Sequence, residues 1–164
     1  MALLAVGLWL IGLAADQVTK LAALANLEPH QSVEVLEPVL RFTLIFNPGA
    51  AFGMGEGATV IFAIFAVIAT LVCLFVVLPR VKRVWHGIAL GLLLAGITGN
   101  LVDRMFQPPS FLHGHVIDFI QVPGFAILNV ADIFITVGAG LVILGSLLWD
   151  DEHGNAKQRK KERV

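Results

Sequence analysis

The segment from Ala58 to Leu78 contains no charged side chain, and this feature limits most strongly what the chain can fold into. A helix needs about 20 mostly apolar residues to cross the roughly 30 Å of bilayer hydrocarbon, and this segment is long enough. Similar segments, interrupted by few charges, run from Ala2 to about Ala25, from about Trp85 to Val102 and from about Phe125 to Trp149. The sequence therefore predicts an all-α integral membrane protein with four transmembrane helices.

The overall composition supports the same class. Of the 164 residues, 57% are hydrophobic and 14% are charged, whereas soluble domains carry about 25% charged residues. The net charge of −1 shows no excess of positive charge of the kind that binds nucleic acids. Cys73 is the only cysteine, so neither an internal disulfide nor a Cys/His zinc site is expected. These values predict one membrane domain over residues 1–164 and exclude a soluble, disordered or nucleic-acid-binding chain.

The distribution of Lys and Arg predicts the orientation of the chain in the membrane. Arg80, Lys82 and Arg83 lie between the second and third predicted helices, and the charged tail 150–164 holds five more basic residues. Loops 26–57 and 103–124 hold only Arg41 and Arg104. Because basic loops stay in the cytoplasm, both termini are expected there and the other two loops outside.

The first helix has an alternative interpretation as a cleaved signal peptide. Gly12-Leu13-Ala14 is a small-residue site of the kind that signal peptidases cut. No basic residue precedes the apolar run, however, and this favours a retained transmembrane helix.

The first outer loop carries a strand pattern. Segments 33–36 and 40–46 are rich in β-branched and aromatic residues, with partial alternation. Such segments favour short strands. We expect a small extracytoplasmic sheet at the outer membrane surface.

Four aspartates fall in one layer near the outer interface. A charge at the bilayer centre costs about 2.5–3.5 kcal/mol on insertion scales, so each is a candidate functional residue. Asp16 lies in the outer half of the first helix, and Asp103 at the outer end of the third. Asp118 is expected in the outer loop, and Asp132 one to two turns into the fourth helix.

These aspartates fall into two groups, two with a positively charged residue nearby in the sequence and two without one. Asp16 has Lys20 four residues later, and Asp103 has Arg104 beside it, so a structural ion pair or helix cap remains an alternative for both. Asp118 and Asp132 have no such neighbour. Two carboxylates in low dielectric without counter-charges must raise a pKa or share a proton. Aspartic proteases use that arrangement, with one carboxylate as the base for a water molecule.

Amides and small residues lie at the same depth. Asn47, Gly49, Asn100 and Asn129 could orient the carboxylates or bind a peptide backbone. The alternative is ordinary interhelical hydrogen bonding, which contributes about 0.6 kcal/mol per bond in membranes. His113 and His115 lack a third and fourth ligand at helical spacing, so no metal site is expected.

Five sequence blocks together resemble a known family. They are Asp16-Gln17-Val18-Thr19-Lys20, the run from Asn47 to Gly53, the run from Gly99 to Arg104, the run from Gly114 to Phe119, and Asn129-Val130-Ala131-Asp132. In this order and on this topology, they resemble lipoprotein signal peptidase of bacteria, also called signal peptidase II. The resemblance covers nearly the whole chain.

The resemblance implies a four-helix aspartic protease of the inner membrane without metal or cofactor. It would cleave prolipoprotein signal peptides before a diacylglyceryl-modified cysteine, near the outer face, beneath a β-containing cradle. It implies that Asp118 and Asp132 are catalytic and that Asn47 and Gly49 line the groove for substrate or for the family's cyclic peptide inhibitors. The residues implied to be supporting or mainly structural are Asn100, Arg104, Asn129, Asp16, Lys20 and Asp103. Membrane lipids are the other implied partner.

Two rival classes remain open on composition alone. A proton-coupled carrier would also hold aspartates in its helices, but carriers place them near the midplane between internal repeats. A non-catalytic assembly protein would use the polar blocks to hold its helices together. In that case Asp→Asn changes would lower stability rather than activity.

Overall fold

The computed structural model describes residues 1–49 and 58–161, with the backbone alone at 58 and at 149–161. Within these ranges, four helices are long and apolar enough to cross a membrane. They belong to α1 (Ala2–Asn26), α2 (Ala58–Val72), α3 (Val84–Phe106) and α4 (Val130–Lys161). The four predicted transmembrane helices are therefore confirmed.

The second helix changes its winding toward its end. It continues as a π-helical segment, Cys73–Val77, and a 3-10 turn, Leu78–Arg80, so the apolar span is Thr59–Arg80. Pro79 has no backbone N–H to continue an α-helix, and the chain turns there into the basic loop.

The fourth helix begins later than the sequence predicts. The apolar run from Phe125 predicts a helix, but a turn from Val122 to Phe125 comes first, with Gly124 at a φ of 81°. Residues Ile127–Leu128 then form a strand, and α4 starts at Val130. Asp132 consequently lies in the first turn of α4, not one to two turns inside it.

The predicted sheet exists and is larger than predicted. Strands β1 (Ser32–Leu36) and β2 (Leu40–Asn47) confirm the expected pair. Two further strands, β3 (Val116–Gln121) and β4 (Ile127–Leu128), complete an antiparallel sheet of order β1-β2-β3-β4.

Helix α3 is the centre of the bundle. In its apolar window 61% of the residues are buried, against 17% or less in the other three helices. The sheet packs on the end of α1, where Leu44, Ile117 and Phe119 form a buried cluster with Ala23. Successive side chains of a strand point to opposite faces, so Asp118 lies on the other face of β3. This arrangement brings the sheet to the ends of α3 and α4.

Candidate active site

Three buried charges form a cluster between α1 and α3. Nζ of Lys20 lies 2.9 Å from Oδ2 of Asp16 and 2.7 Å from Oδ2 of Asp103, and all three side chains are at most 1% exposed. The predicted Asp16–Lys20 pair is confirmed. Asp103 also forms a structural ion pair, one of the alternatives left open for it, but its partner is Lys20 from α1 and not the adjacent Arg104, because adjacent residues on a helix diverge.

Gln17 also belongs to this cluster, although it is not among the predicted site residues. Its Nε2 donates to Oδ2 of Asp16 at 3.1 Å and to the carbonyl of Gly99 at 3.2 Å. The sequence does carry a signal for Gln17, because it is a polar side chain next to Asp16 in a mostly apolar helix.

The two carboxylates of the cluster also accept hydrogen bonds from backbone N–H groups outside their own helices. Oδ1 of Asp16 accepts a hydrogen bond from the N–H of Ala131 at 2.9 Å. Oδ2 of Asp103 accepts one from the N–H of Ile117 at 3.2 Å. Ala131 directly precedes Asp132, and Ile117 directly precedes Asp118. The buried cluster thus fixes the two segments that carry the unpaired aspartates.

Asp118 is held on β3 by two amide donors. Nδ2 of Asn47 donates to its Oδ2 at 2.9 Å, and Nδ2 of Asn129 donates to its Oδ1 at 2.6 Å. Asn47 and Asp118 are diagonal neighbours, because Asn47 pairs with Val116 and Ile45 with Asp118. The Asp118 side chain is 2% exposed. Burial, reinforced by the nearby charge of Asp132, raises the pKa of Asp118 to about 7, although its hydrogen bonds from Asn47 and Asn129 oppose the rise.

Asp132 is held at the start of α4 by a reciprocal capping box. Oδ1 of Asn129 accepts from the N–H of Asp132 at 3.0 Å, and Oδ2 of Asp132 accepts from the N–H of Asn129 at 3.2 Å. The other oxygen of Asp132 accepts from Nδ2 of Asn100 at 2.8 Å. Asp132 is half-buried and thus more accessible than Asp118.

A chain of amides joins the two aspartates. Nδ2 of Asn129 donates to Asp118 and, at 3.0 Å, to Oδ1 of Asn100. Asn100 in turn donates to Asp132 and accepts from Nζ of Lys20 at 3.0 Å. Two carboxyl groups so linked, one deeply buried and one half-buried, can divide the roles of acid and base.

Arg104 and Gly49 lie at the margins of this network. A guanidinium nitrogen of Arg104 donates to the carbonyl of Asn100 at 3.2 Å, and the guanidinium lies 5.7 Å from the ring centre of Phe62. The N–H of Gly49 donates to Oδ1 of Asn47 at 2.9 Å, and Gly49 has a φ of 99°, which favours glycine.

The structure joins every sequence-predicted site residue in one hydrogen-bonded network. Its members are Asp16, Lys20, Asn47, Gly49, Asn100, Asp103, Arg104, Asp118, Asn129 and Asp132. The remainder of the predicted Asn47–Gly53 block, with the small residues Ala50 and Ala51, lies outside the described residues. Among the described residues, no group of three or more His, Cys, Asp or Glu side chains has the geometry of a metal site.

Known proteins match this chain over most of its length. The family model described as signal peptidase (SPase) II matches residues 8–148. The chain is similar to the lipoprotein signal peptidase of Leifsonia xyli subsp. xyli, with 44% identity over 80% of this chain and 61% of that protein. It is 37% identical to the lipoprotein signal peptidase of Rhodococcus jostii over 91% of this chain and 75% of that protein. The first alignment thus spans less than two thirds of the relative's length.

Solved structures agree with the fold. Two similar structures are described as bacterial membrane enzymes solved by the in meso method. One has a TM-score of 0.77 and 30% identity, covering 87% of this chain and 92% of the other. The second has a TM-score of 0.79 and 29% identity, covering 91% and 90%. The family model, the relatives and the fold together lead to one assignment: this chain belongs to the signal peptidase II family.

Proposed function

We propose that the chain is a membrane aspartic endopeptidase that removes signal peptides from prolipoproteins, cutting before a diacylglyceryl-modified cysteine. The observation that carries the proposal is the amide-linked pair Asp118 and Asp132. Each carboxyl group accepts hydrogen bonds from N–H donors. The ammonium of Lys20 binds Asp16, Asp103 and Asn100, so it is not the counter-charge of either aspartate of this pair. Membership of the signal peptidase II family supports the reaction class.

The different burial of the two carboxyl groups supports a division of roles. Asp118 is the more buried, so it holds the proton and donates to the oxygen of the scissile carbonyl. Asp132 is half-buried and accepts two N–H bonds, so it is the ionised base. It removes a proton from a water molecule, whose oxygen attacks the carbonyl carbon. The tetrahedral intermediate then breaks its C–N bond as the cysteine nitrogen takes from Asp132 the proton that came from the water. Asp118 recovers its proton from a hydroxyl group of the intermediate, so the products are a carboxylic acid and a free amine and both aspartates return to their starting states.

The depth of the site suits a substrate that stays anchored in the membrane. Asp118 lies in the sheet, and Asp132 lies in the first turn of α4. With the basic loop 80–83 in the cytoplasm, this end of the bundle lies at the outer face of the inner membrane. The cut would then occur where an exported signal helix leaves the bilayer. The same groove, beginning at Asn47 and Gly49, would take the family's cyclic peptide inhibitors.

Cleavage of a lipidated prolipoprotein by the purified protein in detergent, with EDTA present, tests the proposal. Wild type should cut before the lipidated cysteine. Asp118→Asn and Asp132→Asn should each lose activity by at least about 10³-fold, since either change removes one half of the acid–base pair. Glu34→Gln, which alters an exposed carboxylate of β1, is the matched control and should keep full activity.

Thermal melting separates loss of activity from loss of fold. Folded but inactive aspartate variants would support the dyad. A wild type that does not cut, or Asp→Asn variants that cut normally, would refute it. Melting temperatures that fall in step with activity would favour a structural role instead.

A further inference from the structure

We infer that Lys20 is a positioning residue for the reaction proposed above: it fixes the orientation of the Asn100 amide so that Asn100 donates to Asp132. The inference rests on the proposed function, because it gives a role in that reaction to a side chain that touches neither aspartate of the dyad. Two amide orientations are possible for any asparagine, and the surrounding donors and acceptors select one.

The ammonium of Lys20 can bind only the oxygen of the Asn100 amide, because it can only donate hydrogen bonds. A lysine ammonium carries three N–H donors and no acceptor. Two of its partners are the carboxylates of Asp16, at 2.9 Å, and Asp103, at 2.7 Å. The third partner is Oδ1 of Asn100, at 3.0 Å. With Lys20 1% exposed, these three contacts use all of its donors.

A reversed Asn100 amide would turn each of its contacts into a repulsive one. Its NH₂ group would face the ammonium of Lys20 and the NH₂ group of Asn129, which are both donors. Its oxygen would face the carboxylate of Asp132, which is an acceptor. The NH₂ group of Asn100 must therefore point at Asp132.

The neighbouring amide supports this orientation independently. Oδ1 of Asn129 accepts from the backbone N–H of Asp132, which can only donate. The NH₂ group of Asn129 is therefore the part that faces Oδ1 of Asn100. Lys20 adds a positive charge to the same oxygen, which polarises the amide and strengthens the bond that Asn100 donates to Asp132. The charge thus acts on the proposed base through one intervening side chain.

A double-mutant cycle tests whether Lys20 acts through Asn100. Lys20→Met should lower kcat by about 100-fold with a small change in KM, because the base is misplaced but the groove is untouched. In an Asn100→Ala background the same change should cost only a few-fold, because the transmitting amide is already absent. Lys20→Arg, which is also purely a donor, should recover part of the activity. Equal losses in both backgrounds would overturn the inference.

Asn100→Asp provides a second test if Lys20→Met does not fold. Its carboxylate still accepts from Lys20 and Asn129 but cannot donate to Asp132. We expect a folded protein whose kcat is lower by about 100-fold. Asn26→Asp, the same change at an exposed residue of α1, is the matched control and should remain active. Wild-type kcat in Asn100→Asp would refute the inference.

A measurement without substrate separates this inference from the proposed function. In protein labelled with ¹⁵N-asparagine, the NH₂ signals that disappear in Asn100→Asp belong to Asn100. These signals should be protected from solvent exchange in wild type, lose that protection in Lys20→Met and keep part of it in Lys20→Arg, which still donates. Unchanged protection in Lys20→Met would refute the role of Lys20. If wild type fails to cut the prolipoprotein while the protection changes as expected, only the proposed function fails.

Discussion

At the scale of single residues, Asn129 links local structure to the proposed chemistry. Its oxygen caps α4 by accepting from the N–H of Asp132, and its NH₂ group donates to Asp118 and Asn100. The Asn129 side chain is fully buried. The cap that starts the helix is therefore the same group that connects the two aspartates.

Substitutions at Asn129 should separate these two roles. Asn129→Ser keeps a capping oxygen and loses both NH₂ contacts, whereas Asn129→Ala loses all of them. We expect both to lower kcat by at least about 10-fold, since neither can hold Asp118. Only Ala should also lose the cap, which is worth about 1 kcal/mol of stability. Thermal melting beside cleavage rates checks this, and equal melting temperatures would contradict it.

The buried carboxyl group of Asp118 should give the reaction an alkaline limit. Burial raises its pKa from 3.8 to about 7, and the hydrogen bond from Asn47 opposes this rise. Since the proposed acid loses its proton above that value, kcat/KM should fall as the pH rises through about 7. Asn47→Ala removes an opposing bond, so the falling limb should move to higher pH. A limb that moves to lower pH would contradict this assignment.

The raised pKa of Asp118 also makes the free energy of unfolding depend on pH. The folded state holds the Asp118 proton more tightly than the unfolded chain does. Its contribution to the free energy of unfolding is therefore greatest at low pH and is lost as the pH rises from 3.8 to about 7.

How far the sequence predicts the site depends on where each partner lies in the chain. The Asp16–Lys20 pair follows from helical spacing within one segment. The partner of Asp103 is Lys20, which lies on another helix. The sequence offers Arg104 as the nearest charge, but the partner is on another helix because tertiary packing brings α1 to α3. The amide chain through Asn100 and Asn129 could be placed at the right depth, but its hydrogen-bond directions required the fold.

At the scale of elements, α3 meets its neighbours through small residues. A Cβ at Gly96 would overlap the carbonyl of Ala131 and lie 2.6 Å from Cγ1 of Ile135, both on α4. A Cβ at Gly140 would meet nothing within 4 Å. The close approach at Gly96 therefore sets the position of the first turn of α4, which carries Asp132.

An alanine at Gly96 should displace that turn. We expect Gly96→Ala to cost about 1–3 kcal/mol of stability, as overpacking does, and to lower kcat. Gly140→Ala adds the same methyl group to open space inside α4, so it should keep full activity and be at least as stable as wild type. Thermal melting and initial rates of the two variants check this. A Gly96→Ala variant as stable and active as Gly140→Ala would show that the contact is unimportant.

The two strands that the sequence pattern does not predict, β3 and β4, escape it for different reasons. In β3 the residues from Val116 to Phe119 are all buried, so they show no alternation between apolar and polar positions. Strand β4 has two residues and exists through its pairing with β3. The apolar run from Phe125 contains both the strand and the cap at Asn129, and so the sequence pattern predicts a helix start that is too early.

At the scale of the whole molecule, the orientation in the membrane is still a prediction. The two exposed residues Gln31 and Lys82 lie at opposite ends of the bundle, one beside the sheet and one in the basic loop. In a Cys73→Ser background, Gln31→Cys should react with a membrane-impermeant maleimide in intact spheroplasts. Lys82→Cys should react only after the membrane is opened. The reverse pattern would overturn the assignment of both termini to the cytoplasm.

The buried ion cluster also bears on how the chain enters the bilayer during synthesis. The charged side chains of α1 are Asp16 and Lys20, and those of α3 are Asp103 and Arg104, so each helix leaves the ribosome with balanced charge. Asp16 and Lys20 lie one turn apart, so α1 can enter lipid with its two charges paired. When the two helices meet, Asp103 takes Lys20 as its partner, and Arg104 is left to bind the Asn100 carbonyl. Assembly of the bundle thus adds a carboxylate from α3 to the Asp16–Lys20 pair that α1 already carries.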